Sequence, residues 1–169
     1  MYKRLLATTA LLASQYALAA QMEVEVEIPQ LNVAEYHRPY VAIWIEQNGK
    51  HITDLSVWYD MKLRDNEGEK WLKDMRQWWR RSGRTLEFPV DGVSGATKAP
   101  GTHKLTFTSN EQHLAMLTQG EYQLIVEAAR EVGGRELVRV PMSWPAQSTT
   151  TTTATGNSEL GTVTLTITP

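Results

Sequence analysis

Met22-Glu23-Val24-Glu25-Val26-Glu27-Ile28 alternates apolar and acidic residues without a break, the pattern of a β-strand with one buried face and one wet face. Downstream, Tyr40 to Glu46 places Val41, Ile43 and Ile45 on one face and Ala42 and Trp44 on the other. Asn48-Gly49 then marks a tight turn into Ile52 to Tyr59, so these two runs are expected to form a hairpin. His103 to Thr108, Tyr122 to Ala129 and Glu136 to Met142 are rich in β-branched or aromatic residues, and Gly133-Gly134 supplies a turn between the last two. Gly161 to Thr168 closes the chain, with Val163, Leu165 and Ile167 alternating with threonines. Short strands punctuated by regular turn signals make the chain mostly β, an immunoglobulin-like antiparallel β-sandwich.

Two stretches depart from this pattern. Lys70 to Ser82 spaces Trp71, Leu72, Met75, Trp78 and Trp79 as a helical stripe, with Gly83 as its expected C-cap and Arg76, Arg80 and Arg81 toward the negative end of its dipole. Either this inserted amphipathic helix plugs the sandwich with its tryptophans, or part of the tryptophan surface stacks on a flat ring. Gln147 to Asn157 is a low-complexity Ser/Thr-rich run and is expected to be a flexible loop.

Met1-Tyr2-Lys3-Arg4 places positive charge before the apolar stretch from Leu5 to about Ala13, and Ala17-Leu18-Ala19 offers small residues where a signal peptidase reads. Residues 1–19 are therefore expected to be a signal peptide and residues 20–169 a single domain. A membrane anchor is the competing reading, but the apolar stretch falls short of the roughly 20 residues that span a bilayer. The chain contains no cysteine, so the domain must be held by its core alone, as a chain of this size can be. That suits a bacterial periplasm. The net charge of −2 and the dispersed basic residues argue against a nucleic-acid footprint.

The stretch richest in chemistry runs Glu87-Phe-Pro-Val-Asp91-Gly92-Val93-Ser94-Gly95-Ala96-Thr97-Lys-Ala-Pro-Gly101, a loop dense in Gly, Pro and small residues. Asp91 to Thr97 resembles the flavinylation motif of extracytoplasmic FMN-carrying domains: Asp, two variable positions, Ser or Thr, Gly, Ala, then Thr or Ser. The resemblance implies that a FAD-dependent flavin transferase joins the phosphate of FMN to the Thr97 hydroxyl, with Asp91, Ser94, Gly95 and Ala96 as motif positions. Gly95 and Ala96 would let nucleotide and enzyme approach that hydroxyl closely, while Asp91 and Ser94 orient the loop. On the plainer reading, Asp91 caps a turn that Ser94 and Gly95 complete, and Thr97 starts the next strand. Lys98-Ala99-Pro100-Gly101 follows, where the FMN-binding domains carry further hydroxyl residues on a different fold.

The mature chain as a whole resembles a periplasmic family defined by a domain of unknown function, number 2271. The resemblance rests on His37 to Glu46, Lys70 to Asp74, Trp78-Trp79-Arg80, the Asp91 to Thr97 loop with Pro100-Gly101, and Gly120-Glu121-Tyr122. It implies genomic company with flavin transferases and PepSY-type membrane proteins, hence a periplasmic redox or metal-linked system. Gly120 to Leu124 with Glu127 to Glu131 also resembles the final hairpin of immunoglobulin-like flagellar-hook and adhesin modules.

Other constellations are weaker. His37, His51, His103 and His113 lack the spacing of a metal clamp, and Asp60, Asp65, Glu67 and Glu69 lack the ordered ligand alternation of a calcium loop. No metal is expected. There is no Gly-x-Ser-x-Gly elbow and no Cys nucleophile, so an autonomous hydrolase is not indicated. His37-Arg38-Pro39-Tyr40 would suit a flavin's phosphate or ring if it lay beside Thr97; otherwise Arg38 pairs with an acid and Tyr40 packs under the helix. Two functions follow from the residues: an electron-transfer protein with FMN covalently held at Thr97, served by a membrane-bound redox partner, or a non-enzymatic binding module that docks a membrane protein without a cofactor.

Overall fold

The computed structural model describes residues 19–169, so the segment read as a signal peptide lies outside the described residues except for Ala19. Nine strands form two sheets among those residues: β1 (Gln21–Ile28), β2 (Tyr40–Gln47), β3 (Lys50–Tyr59), β4 (Ser94–Ala96), β5 (Gly101–Thr108), β6 (Gly120–Ala129), β7 (Arg135–Trp144), β8 (Thr150–Thr155) and β9 (Thr162–Thr168). The first sheet has the order β5-β1-β9-β8 and the second β4-β3-β2-β6-β7. Neighbours run antiparallel except β3 and β4, which are parallel.

The alternation in β1 is realised as read. Met22, Val24, Val26 and Ile28 are buried, while Glu23 and Glu25 lie on the wet face, both paired to Lys104 of β5 at 2.9 and 3.2 Å. Against the apolar side stand Val41, Ile43 and Ile45 of β2, Leu124 and Val126 of β6, and Val163, Leu165 and Ile167 of β9, which together form the core between the sheets. Each such side chain contributes about 1.5–3 kcal/mol on full burial. The β2–β3 hairpin turns at Asn48 and Gly49, both at positive φ, 51° and 72°, as the favoured two-residue hairpin turn requires. Pro141 sits on β7, an edge strand, where its missing N–H is tolerated.

The second sheet is buried on its other face too. Ala42, Trp44, Val57, Tyr59, Ile125 and Ala129 point away from the sandwich and pack under Leu72, Met75 and Trp78 of the inserted segment. This segment is not one helix over 70–82. It is a kinked 3-10 stretch, Arg64–Asp74, interrupted by left-handed Asp65 and Asn66 (φ 54° and 55°), followed by the α-helix α1, Arg76–Arg81, with a further break at Met75 (φ −76°, ψ 74°). Leu72 from the 3-10 stretch, Met75 at the break and Trp78 from α1 face the sheet, and Trp71 beside them is left 44% exposed. Nor is Gly83 a left-handed cap: it opens a further 3-10 turn, and a Cβ there would lie 2.7 Å from the Trp78 ring. Its role is to let that ring in. Arg81 turns toward the β2–β3 hairpin, bonding the Gly49 carbonyl and lying 3.5 Å from Glu46.

Buried carboxylates fasten this cover to the sheet. Glu127 of β6 accepts the N–H groups of Gln77 and Trp78 at 3.1 and 2.7 Å and a bond from Arg135 at 2.6 Å, satisfying donors that every helix start leaves orphaned. Asp54 of β3 accepts from the Trp78 indole at 2.9 Å, the Ser82 hydroxyl at 2.5 Å and His51 at 2.9 Å. Burial pushes its pKa up, but these donors prevail and hold it below the ordinary value.

The Ser/Thr-rich run is also corrected. Within 147–157, Thr150–Thr155 is strand β8, paired from Thr150↔Ile167 to Thr155↔Thr162 with β9. Low complexity concealed a β-branched run with alternating faces, which suits a pleated surface.

Candidate functional site

The motif begins in a turn. The Val93 N–H donates to the Val90 carbonyl at 3.2 Å, with Gly92 at φ +70°, the backbone a turn of this kind demands at its third residue. Ser94 closes the turn: its hydroxyl accepts the Val90 N–H at 2.9 Å while its own N–H returns to the Val90 carbonyl at 2.9 Å. Asp91 is exposed on the turn.

Ser94 to Ala96 are not loop but β4, paired with Val57, Trp58 and Tyr59. The pairing extends to the Thr97 N–H, which donates to the Tyr59 carbonyl at 3.2 Å. Thr97 therefore directly follows β4 and does not start β5. Gly95 lies over Trp58, where a Cβ would sit 3.4 Å from the indole. The Lys98 ammonium stands 5.5 Å from the same ring, and His103 meets it edge-on at 5.8 Å. The motif is thus fixed on a buried tryptophan.

Beyond Ala96 and Thr97 opens a cleft of about 430 Å³. Tyr36, His37, Arg38 and Tyr40 line it from the β1–β2 connection, Asp60 to Leu63 with Trp71 and Asp74 from the helical cover and its approach, and Ala129, Arg130 and Glu131 from the end of β6. His37 lies between Glu35 and Glu131, at 3.0 and 3.4 Å. Tyr40 packs edge-on against Tyr59 at 6.3 Å, and burial raises its pKa. The structure thus brings Thr97 and Ala96 together with the His37-Arg38-Tyr40 group and with Trp71. Ser94 and Gly95 support the strand, and Asp91 stands on the preceding turn.

Sequence reasoning missed Tyr36, Arg130 and the Asp60 to Leu63 wall. The signals were slight: charged Arg130-Glu131 just ahead of the Gly133-Gly134 turn, and Trp71 lying off the three-residue spacing of its neighbours.

The architecture is that of a mostly β, two-sheet, sandwich-like domain with a helical cover and a cleft beside a short edge strand. The chain belongs to the family described as predicted periplasmic protein (DUF2271), whose model matches residues 21–162. It is accordingly a periplasmic protein. Comparison with curated proteins and with solved structures gave no match. No helix among the described residues is long and apolar enough to cross a membrane.

Proposed function

We propose that the protein is an exported acceptor of covalently attached FMN that serves electron transfer with a membrane-bound redox partner of PepSY type. The observation that carries this reading is that the last motif residue, Thr97, lines the same cleft as Arg38, Tyr40 and Trp71. The volume, about 430 Å³, falls within the range of small-molecule and cofactor sites. The residues suit the group: a half-buried hydroxyl for the ester, two aromatic side chains for a flat ring, and a guanidinium for phosphate.

In the attachment step the Thr97 Oγ forms a phosphoester with the FMN half of FAD, the pyrophosphate bond breaks, AMP leaves, and the hydroxyl proton passes to a base of the flavin transferase. Thr97 needs no activating partner of its own if the transferase supplies base and metal. Once attached, FMN supplies one- and two-electron redox chemistry.

The test is the intact mass of the mature protein exported together with an active flavin transferase, beside Thr97→Ala. A gain of one FMN less water is expected in the wild type only. The variant should retain its stability within about 0.5 kcal/mol, as substitutions away from buried features usually do. A gain that persists in Thr97→Ala would refute the assigned acceptor. No gain in either, with the transferase active on another acceptor, would leave a binding module whose exposed Met61, Leu63 and Trp71 dock a partner.

A further inference from the structure

Arg130 follows β6 directly, and its guanidinium is clamped. Glu159 accepts from Nε and Nη2 at 2.8 and 3.1 Å, and the Gly134 N–H holds the same carboxylate at 2.8 Å. The two side chains are only 6% and 4% exposed. The β6–β7 turn crosses the guanidinium so closely that a Cβ on Gly133 would fall 2.5 Å from Cζ.

This clamp uses one edge of the guanidinium and leaves the other free. Nη1 is buried without a hydrogen-bond partner among the described residues, and so is the hydroxyl of Tyr36. Both residues line the cleft. The Tyr36 pKa is raised by burial first, with Arg130 and Arg38 drawing it back and Glu159 opposing them. Orphaned buried donors are uncommon and costly, and a guanidinium has nothing but donors to offer. What would complete the site is an acceptor.

We propose that Arg130 Nη1 and Tyr36 Oη form an oxyanion subsite of the cleft that takes a phosphate group. Glu159 fixes the plane of the guanidinium so that its free edge meets two oxygens, the bidentate geometry in which Arg recognises phosphate. A tetrahedral anion has a further oxygen for the Tyr36 hydroxyl, and Arg38 at the exposed side of the cleft adds positive charge. Both donor atoms are closed to solvent in this structure, so phosphate reaches them by local opening of the β1–β2 connection, residues 29–39, which has no strand or helix pairing and is tied to the end of β6 by His37 and Glu131 at 3.4 Å, and which closes again with Tyr36 on the anion. Two sources share the chemistry: inorganic phosphate and the phosphate of flavin mononucleotide. For the second the inference rests on the flavin reading above.

The experiment is calorimetric titration of mature protein made without any flavin transferase, using FMN, riboflavin and inorganic phosphate, with Tyr36→Phe and Arg130→Lys in parallel. FMN is expected to bind at least about tenfold more tightly than riboflavin, as charge-assisted hydrogen bonds imply. Each variant should reduce that preference about fivefold or more. Tyr36→Phe should do so with no fall in Tm, since its hydroxyl has no bond to lose. Competition between inorganic phosphate and FMN would assign the subsite to the flavin's phosphate, and phosphate binding without FMN binding would assign it to the free ion. Equal affinity for FMN and riboflavin without phosphate binding, no binding of any of the three, or a preference unchanged in both variants would overturn the proposal. Labelling at Thr97 is a separate readout, so either reading can fail while the other stands.

Discussion

Asp54 gathers three donors from residues that the sequence gives no reason to associate with it. His51 is its neighbour on β3, but Trp78 and Ser82 arrive from the helical cover. Its folded pKa lies below the ordinary 3.8, so its stabilisation is complete above that value and is lost as pH falls through the folded pKa. Urea midpoints measured from pH 7 down to about 2 should therefore drop more steeply for the wild type than for Asp54→Asn. At neutral pH the variant should be less stable by about 2 kcal/mol, the worth of a hydrogen bond to a charged group. Glu136, held below its ordinary 4.5 by the N–H groups of Asn157, Leu160 and Ser158 against the opposing effect of burial, adds acid sensitivity of the same sign. Val132 acts in the opposite sense: a β-branched residue at φ 51°, it occupies left-handed backbone that costs about 1–2 kcal/mol. Val132→Gly should raise the urea midpoint correspondingly. None of these polar partners was legible in advance, because a carboxylate buried by a distant segment is written with the same letter as one in water.

At the level of elements, the sequence was most readable where one face meets one core. β1 and β9, with their strict alternation, and the β2–β3 hairpin, with its Asn-Gly turn, lie where the pattern placed them. It was least readable where threonines stood for strand residues, as in β8, and where two helical periods were spliced at Met75. The motif itself was visible as a string of residues, but its conversion into a parallel edge strand depends on Trp58 and Tyr59, some forty residues upstream. The helical cover lends itself to test through its anchor. Glu127→Ala would leave two helix-start amides without their acceptor, at a cost of about 2–3 kcal/mol for unsatisfied buried donors, while Arg135, 40% exposed, falls back on water. Hydrogen exchange should show Trp78 and Trp79 losing protection before the strands do. Equal loss across both sheets would mean that the cover and the sandwich open as one unit.

Over the whole molecule, the cleft draws on separate stretches near residues 36–40, 60–74, 96–97 and 129–131, which is why a reading along the chain named only part of it. The same distribution makes the fold depend on pairings between distant residues, β1 with β9 foremost, since Met22 stands opposite Ile167. A chain ending before Thr162 loses a strand that lies between β1 and β8 together with the buried Val163, Leu165 and Ile167. It should show no cooperative near-ultraviolet transition on heating. That β1 and β9 are neighbours also sets an order of events in time. Along one side β1 has no partner until residues about 145 positions further on have been added and β9 can lie between it and β8; closure of the first sheet therefore waits on a non-local pairing, the slow kind of step in folding.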